Sequence, residues 1–375
     1  MNYIRGFIVL FYFIILHHSV SSLEFPVTTA QNQYKNGLSL ISFAEKLIES
    51  LLENNTRHLV QVKLGEPAQA LKLKISSSIC GIWVFNKERF NRGFNMSASE
   101  TLTKTKIKEN VDDYHGFLVQ DTVEFWFYNV KQVMFLVVDD VAGQNKKQTY
   151  DGLIGFGYQC KSKSKGNIDL LNIFAKSKGK RNVMSFTLED ETGKGKFYAG
   201  EIYDKINIKS KHYRTVRLDM WNYNGHWEVP FHSIYFDNLD VYRINDKLSI
   251  GFGGTYFSVK DKFFNYIETN YFENDIENGI CSTLHRKDGY QIVCHKDYNP
   301  NKLGTLSFII DKWNFKIPPE KLFYDTKING ETKKWCAIVH YPMYNEYYIS
   351  QKLFKNSSVV YDKDNNVIGI YEHKD

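Results

Sequence analysis

The chain has 375 residues, 43% of them hydrophobic and 24% charged, a balance that can bury a large core and excludes a disordered chain. Lysine and arginine total 48 against 42 acidic residues, and a net charge of +6 gives no ground for nucleic-acid binding across the whole surface. At this length two domains are expected.

In chain order, Arg5 precedes an apolar run from Phe7 to Leu16, with small residues following at Val20 and Ser22. This is the pattern of a secretory signal peptide over residues 1–22, cleaved after Ser22. About ten apolar residues are too few to span a bilayer, and no later stretch qualifies, so no membrane span is expected. A secreted, extracellular protein meets an oxidising compartment, where Cys80, Cys160, Cys281, Cys294 and Cys336 can pair, although five cannot all pair within one chain. Sequons at Asn54, Asn95 and Asn356 fit a secreted glycoprotein.

Residues 23–56 include "NGLSLISFAEKLIESLLENN", whose apolar positions from Leu38 to Leu52 have mostly helical spacing between Asn-Gly and Asn-Asn stops. One amphipathic helix is expected there, ahead of the main body. From His58 onward the chain is rich in Val, Ile, Phe, Tyr and Trp in short alternating runs, which predicts a mostly β body. In "LKLKISSSICGIWVF", Leu71, Leu73 and Ile75 share one sheet face, the turn-prone Ser76-Ser77-Ser78 interrupts, and an apolar run containing Trp83 resumes. A similar object recurs at "DKLSIGFGGTYFSV", where Lys247-Leu248-Ser249-Ile250 precedes Gly251-Phe252-Gly253. Two copies half a chain apart point to a duplicated lobe. Short helices are expected over residues 167–179 and 259–272. The lysine-rich stretches "KSKSKG" (161–166), "KSKGKR" (176–181) and "KSKHYR" (209–214) read either as solvated loops or as a surface for an anionic partner. No low-complexity linker divides the chain, so the halves are expected to share structure or meet closely.

Five segments, in order, resemble the pepsin family of aspartic proteases. "LVQVKLGEPAQALKLKISSSICGIWVF" is similar to the family's Gly-x-Pro-x-Gln segment, its Asp-Thr-Gly-Ser-Ser loop and the Leu-Trp-Val run that follows. "GFLVQDTVEF" (116–125) resembles the segment after the active-site flap, and "YDGLIGFGY" (150–158) the Phe-Asp-Gly-Ile-Leu-Gly-Leu core motif. "HWEVPFHSIYF" (226–236) resembles the strand that opens the second lobe, and "VVYDKDNNVIGI" (359–370) the closing strands. The resemblance implies a bilobal β fold, with an N-terminal lobe over 57–210, a C-terminal lobe over 211–375 and a peptide-binding cleft between them. Residues 23–56 take the place of a propeptide.

In an active member each break carries Asp-Thr-Gly. Two carboxylates then share a proton and hold one water, one acting as base and the other as acid. Here the two Asp positions are Ser76 and Gly251, with Phe252 in place of the second threonine, so neither carboxylate is present. The flap tyrosine position falls on Glu109, unless a shifted hairpin offers Tyr114 instead. Asp112 and Asp113 belong to the expected flap tip, where they cannot form the close dyad. Ile349-Ser350-Gln351 replaces the family's Leu-Gly-Asp in the second lobe, while Ile154-Gly155 keeps the glycine in the first. The resemblance also implies a second-lobe disulfide between Cys294 and Cys336, leaving Cys80, Cys160 and Cys281 unassigned.

Three readings of function follow from these residues. The first is an inactive homologue that binds a peptide or an extracellular protein in the remnant cleft, with Trp83 expected to contribute to that contact. The second is an acid endopeptidase with a rearranged site. The third is a secreted glycoprotein that interacts away from the cleft, through its basic loops. No cofactor is expected, and no His-Glu-x-x-His pattern nominates a metal.

Overall fold

The computed structural model describes residues 23–29, 58–111, 114–125, 128–141, 149–160, 169–178, 180–188, 195–219, 225–237, 241–252, 256–285, 289–328, 331–342, 345–354 and 357–373. The signal peptide expected over 1–22, the helix expected over 38–52, Asn54, Asn356, the lysine stretch 161–166, Asp112, Asp113 and Gly253 lie outside them.

The protein is mostly β. A strand β1 (Leu23–Thr29) is followed by the strands of a first lobe: β2 (His58–Leu64), β3 (Gln69–Ser76), β4 (Cys80–Phe85), β5 (Thr103–Val111), β6 (Tyr114–Phe125), β7 (Tyr128–Val141) and β8 (Gly152–Phe156). Then come β9 (Val183–Leu188), β10 (Gly195–Ala199) and β11 (Tyr213–Arg217). The second lobe has β12 (Glu228–Phe236), β13 (Tyr242–Gly251), β14 (Phe257–Ser258), β15 (Cys281–His285), β16 (Tyr290–His295) and β17 (Leu306–Ile310). It continues with β18 (Trp313–Ile317), β19 (Phe323–Ile328), β20 (Glu331–His340) and β21 (Tyr347–Ser350), before the closing hairpin β22 (Ser357–Asp362) and β23 (Val367–Glu372). Helices form at Leu170–Lys178 and Asp261–Ile267, inside the two segments expected to be helical.

Residue pattern explains which strands lie deepest. Along β3, Leu71, Leu73 and Ile75 are buried while Lys72 is exposed, the alternation of a strand with one covered face. Every residue of β4 is buried, and its unbroken apolar run suits a strand covered on both faces.

The duplication seen in the sequence is reproduced bond for bond in the pairing. In the first lobe β3 runs parallel to β8, with Ile75 beside Ile154 and Ser76 beside Gly155, and β8 pairs antiparallel with β4. In the second lobe β13 runs parallel to β21, with Ile250 beside Ile349 and Gly251 beside Ser350, and β21 pairs antiparallel with β14. The loops between are equally long. Ile82, six residues after Ser76, faces Ile154, and Phe257, six after Gly251, faces Ile349. Ser76 and Gly251 are therefore equivalent positions.

A sheet shared by both halves underlies this pair of motifs, in the order β11-β23-β22-β9-β10-β1. The C-terminal hairpin returns to pair with β9, so the last residues of the chain complete a sheet begun before the second lobe. Above it lies a layer of buried rings. Phe252 stacks on Phe186 at 5.3 Å and meets Phe197 and Tyr361 at 6.0 and 5.6 Å. Trp227 packs on Tyr361 and Tyr158 at 5.0 and 5.2 Å, and its indole N–H donates to the Phe156 carbonyl at 2.8 Å.

Two disulfides form, Cys80–Cys160 and Cys281–Cys294, and Cys336 is free. The expected Cys294–Cys336 pair is thus corrected. Cys281 sits directly opposite Cys294 across the β15–β16 hairpin, whereas on the other side of β16 the residue opposite Cys294 is Lys334 and Cys336 lies two further along. Cys336 instead faces Phe323 in the core, fully buried, and burial raises its thiol pKa to about 12. Alkylation followed by peptide mapping should label Cys336 only after denaturation and recover both disulfide-linked pairs. Replacing Cys80 and Cys160 together with serine, which opens a cross-link spanning 80 residues, should cost about 2–4 kcal/mol in denaturant unfolding.

The shared sheet also buries a titratable chain. Thr187 Oγ1 lies 2.6 Å from Ser358 Oγ, which lies 2.6 Å from His373 Nε2, joining β9, β22 and the end of β23. Burial holds the imidazole pKa of His373 below its ordinary 6.5. The unfolded chain then binds the proton more readily than the native one. The stability this gives is complete above pH 6.5 and is lost as pH falls through the lower native value. Thermal unfolding of the wild type should therefore weaken below about pH 6.5 more steeply than that of His373→Asn, measured from pH 8 to pH 4.

Candidate functional site

The parallel strands β3 and β13 deliver the two breaks to each other. The first closes on itself: Ser78 N–H donates to Ser76 Oγ at 3.2 Å, and the Ser76 and Ser78 hydroxyls are 3.4 Å apart. Ser76 is half-buried, while Ser77 is 4% exposed and turns toward the other lobe. A Cβ added to Gly251 would run into Ser77 Oγ, and would stand 2.7 Å from both the ring edge and the hydroxyl of Tyr348. The structure thus brings Ser77 beside Gly251, and shows that the space beside Gly251 is already filled.

Tyr348 comes from β21, beside Ser249 of β13. Its ring packs 5.3 Å from Tyr256, which in turn meets Tyr341 at 5.6 Å. Burial, with Tyr256, Tyr361 and Glu346 adding to it, drives the Tyr348 phenol pKa well above 10, so it stays neutral and acts as a ring with one hydroxyl rather than as an acid–base group. Nothing at position 348 in the sequence marks this role, because Tyr-Tyr-Ile-Ser reads only as an ordinary strand.

Phe252 takes the place of a threonine. Where the family implies a hydrogen-bonded tie between the two loops, this chain sends a ring down into the aromatic layer over β9, β10 and β22.

Of the two flap candidates, Tyr114 is the one that packs on Trp83, edge to face at 5.3 Å. Glu109 lies five residues before it on β5, opposite Gly116. Trp83 itself is 4% exposed, clustered with Phe85, Leu118, Leu136 and Leu153, and its indole N–H donates to the Cys80 carbonyl at 3.1 Å. The expectation that Trp83 contacts a ligand is corrected to this extent: it is buried behind Tyr114 and supports that ring from below.

Chemically, neither Ser76 nor Gly251 supplies a base. A serine hydroxyl does not ionise near neutral or acidic pH, and glycine contributes nothing. Cys80, the thiol nearest the first break, is consumed in its disulfide with Cys160 and cannot serve as a nucleophile. Asn95 is half-buried, with its Oδ1 accepting from Ser97 N–H and Ser97 Oγ at 3.2 and 2.7 Å, so this sequon caps a short helical turn.

One group near the breaks escaped the sequence reading. His226 Nδ1 lies 3.7 Å from a Glu346 carboxylate oxygen, and ligand atoms of His226, Glu228 and Glu346 all lie within 4.8 Å of one another. Glu228 is 4% exposed and its pKa is raised, mainly by burial, against the pull of Lys247 and His226. The only signal in the sequence was His-x-Glu, since Glu346 arrives from a distant segment.

Two β motifs of identical register, facing loops and a flap hairpin over a buried tryptophan define an aspartic-protease scaffold. The model of the eukaryotic aspartyl protease family matches residues 57–373, and the chain belongs to that family. Comparison with curated proteins finds no match.

Rebuilding the dyad tests how the site is filled. The double variant Ser76→Asp/Gly251→Asp should show no pepstatin-sensitive cleavage and should lose about 1–3 kcal/mol of stability through overpacking against Ser77 and Tyr348. Adding Tyr348→Ala should recover part of that loss in thermal unfolding.

Proposed function

We propose that this chain is a secreted, proteolytically inactive member of the aspartyl protease family that acts by binding a peptide or an extended protein segment in its cleft. The observation that carries the reading is the filled space at Gly251: the second dyad carboxylate is absent, and Tyr348 stands where it would project. Losing a core catalytic group lowers rates by about four to six powers of ten, and groups that act as a unit do not compensate for one another. Binding needs no dyad. The flap hairpin β5–β6 is kept, with Tyr114 seated on Trp83, and an exposed-edged aromatic ring on a rigid support suits peptide contact.

Two disulfides and the N-terminal apolar run support export, and no helix among the described residues is long and apolar enough to cross a membrane. The surface reading has less to draw on. Among the described residues of the basic stretches, Lys180 pairs with Glu201 at 2.8 Å, Arg181 with Asp362 at 2.6 Å and Arg214 with Glu372 at 3.3 Å. Much of that charge is already balanced, leaving Lys176, Lys209 and Lys211 exposed.

Incubation with a mixed peptide library between pH 3 and pH 7 should yield no cleavage that pepstatin abolishes; such cleavage would establish the rearranged-enzyme reading instead. A phage-displayed peptide library should yield binders that Tyr114→Ala weakens about tenfold while leaving the unfolding temperature unchanged. Retention indifferent to Tyr114 would move the binding surface away from the cleft.

A further inference from the structure

His226 and Glu228 flank Trp227, which is 1% exposed and anchored in the aromatic layer. Glu228 opens β12 and His226 lies in the bend just before it, and this entry to the strand gathers their ligand atoms with those of Glu346 within 4.8 Å of one another. Glu346, at the entry to β21, closes the group from the far side of β13, which lies between β21 and β12. Glu228 is nearly inaccessible, while the side chains of His226 and Glu346 keep 23% and 27% of their exposure.

Lys247 Nζ stands 3.6 Å from Glu228 and 3.3 Å from Asp219, so one ammonium is shared between two carboxylates, while Glu228, Glu346 and His226 bring their ligand atoms within 4.8 Å of one another. One imidazole nitrogen with carboxylate oxygens is a donor set for first-row metals, whereas calcium and magnesium take all-oxygen sets.

We propose that His226, Glu228 and Glu346 form a binding site for a first-row divalent cation. Ligand atoms that each sit about 2.1 Å from one ion are about 3–4 Å apart, so a small movement of the two half-exposed side chains closes the set. Three protein ligands leave a fourth position for water or for a carbonyl or carboxylate of a bound segment. Lys247, with 36% of its side chain exposed, is the competitor that holds Glu228 when no ion is bound and can retreat to Asp219. Glu346 is two residues before Tyr348, which places the ion beside the paired breaks and outside the space that Tyr348 fills.

Equilibrium dialysis of the full secreted chain against ZnCl₂, with no peptide present, separates this site from the cleft reading. One equivalent should bind at micromolar concentration or below, and His226→Ala and Glu346→Gln should each weaken it by about tenfold or more. Lys247→Met, which removes the competing charge, should tighten binding about threefold. Saturating Zn²⁺ should raise the unfolding temperature of the wild type and leave that of His226→Ala unmoved. The proposal is overturned by the absence of stoichiometric binding, or by binding that both ligand substitutions leave unchanged. Should either variant fail to fold by circular dichroism, the milder His226→Gln decides: loss of the stoichiometric binding supports the site, and unchanged binding overturns it.

Discussion

The stacking of Phe252 on Phe186 is the contact on which the rest of the molecule depends. It fastens the second break to strands β9 and β10 from the first half of the chain and, through Tyr361, to the C-terminal hairpin. Burying a phenylalanine contributes about 2–3 kcal/mol, and each well-placed ring pair adds about 0.5–1.5 kcal/mol. A neutral hydrogen bond in the same place contributes about 1 kcal/mol net. Replacing the threonine of an active-site loop by Phe252 therefore exchanges a polar tie for a stronger apolar one. The two lobes are held in register by packing, with no need for the hydrogen bonds that an aspartic dyad requires around it.

That exchange has a consequence for chemistry. A working dyad keeps one carboxylate ionised beside a protonated neighbour, and the ionised form must be stabilised by polar groups close by. Over a floor of Phe252, Phe186, Phe197 and Tyr361, all buried, the ionised form would lose much of that support. Active sites are commonly maintained at the expense of stability, and a chain released from catalysis is free to fill and neutralise them. Gly251, Phe252 and Tyr348 together show the outcome: a neutral, closely packed junction where charge once had to be accommodated.

Much of this was legible in the sequence, and the parts that were not share one cause. Lys-Leu-x-Ile followed by a break appears twice because the local pattern of a strand and its turn is written in consecutive residues, and the pairing of Ile75 with Ile154 and Ile250 with Ile349 follows it. Which cysteines pair is instead decided by cross-strand register, and one hairpin alignment places Cys281, not Cys336, opposite Cys294. Tyr348 and Glu346 belong to the same class. Each matters through what distant strands bring beside it, β13 for Tyr348 and the entry to β12 for Glu346, and nothing within a few residues of either announces that. Tyr114 stood as an alternative to Glu109 because a shift along a hairpin moves the residue that reaches Trp83, and only the observed packing fixes it.

The two halves share one framework and pack their two breaks differently. In the first lobe the glycine at 155 is still required, since a Cβ there would strike the Ile79 carbonyl, and Ser76 is a half-buried residue whose hydroxyl merely closes a local turn. In the second lobe the equivalent of Gly155 is Ser350, fully buried, its Oγ accepting from Lys352 N–H at 3.3 Å and its own N–H donating to the Tyr256 carbonyl at 3.1 Å. There the backbone has settled around a side chain that the first lobe could not hold, and Tyr256 and Tyr348 pack beside it. A dyad needs both carboxylates at once, and in the second lobe Ser77 and Tyr348 already occupy the space into which one would project from position 251.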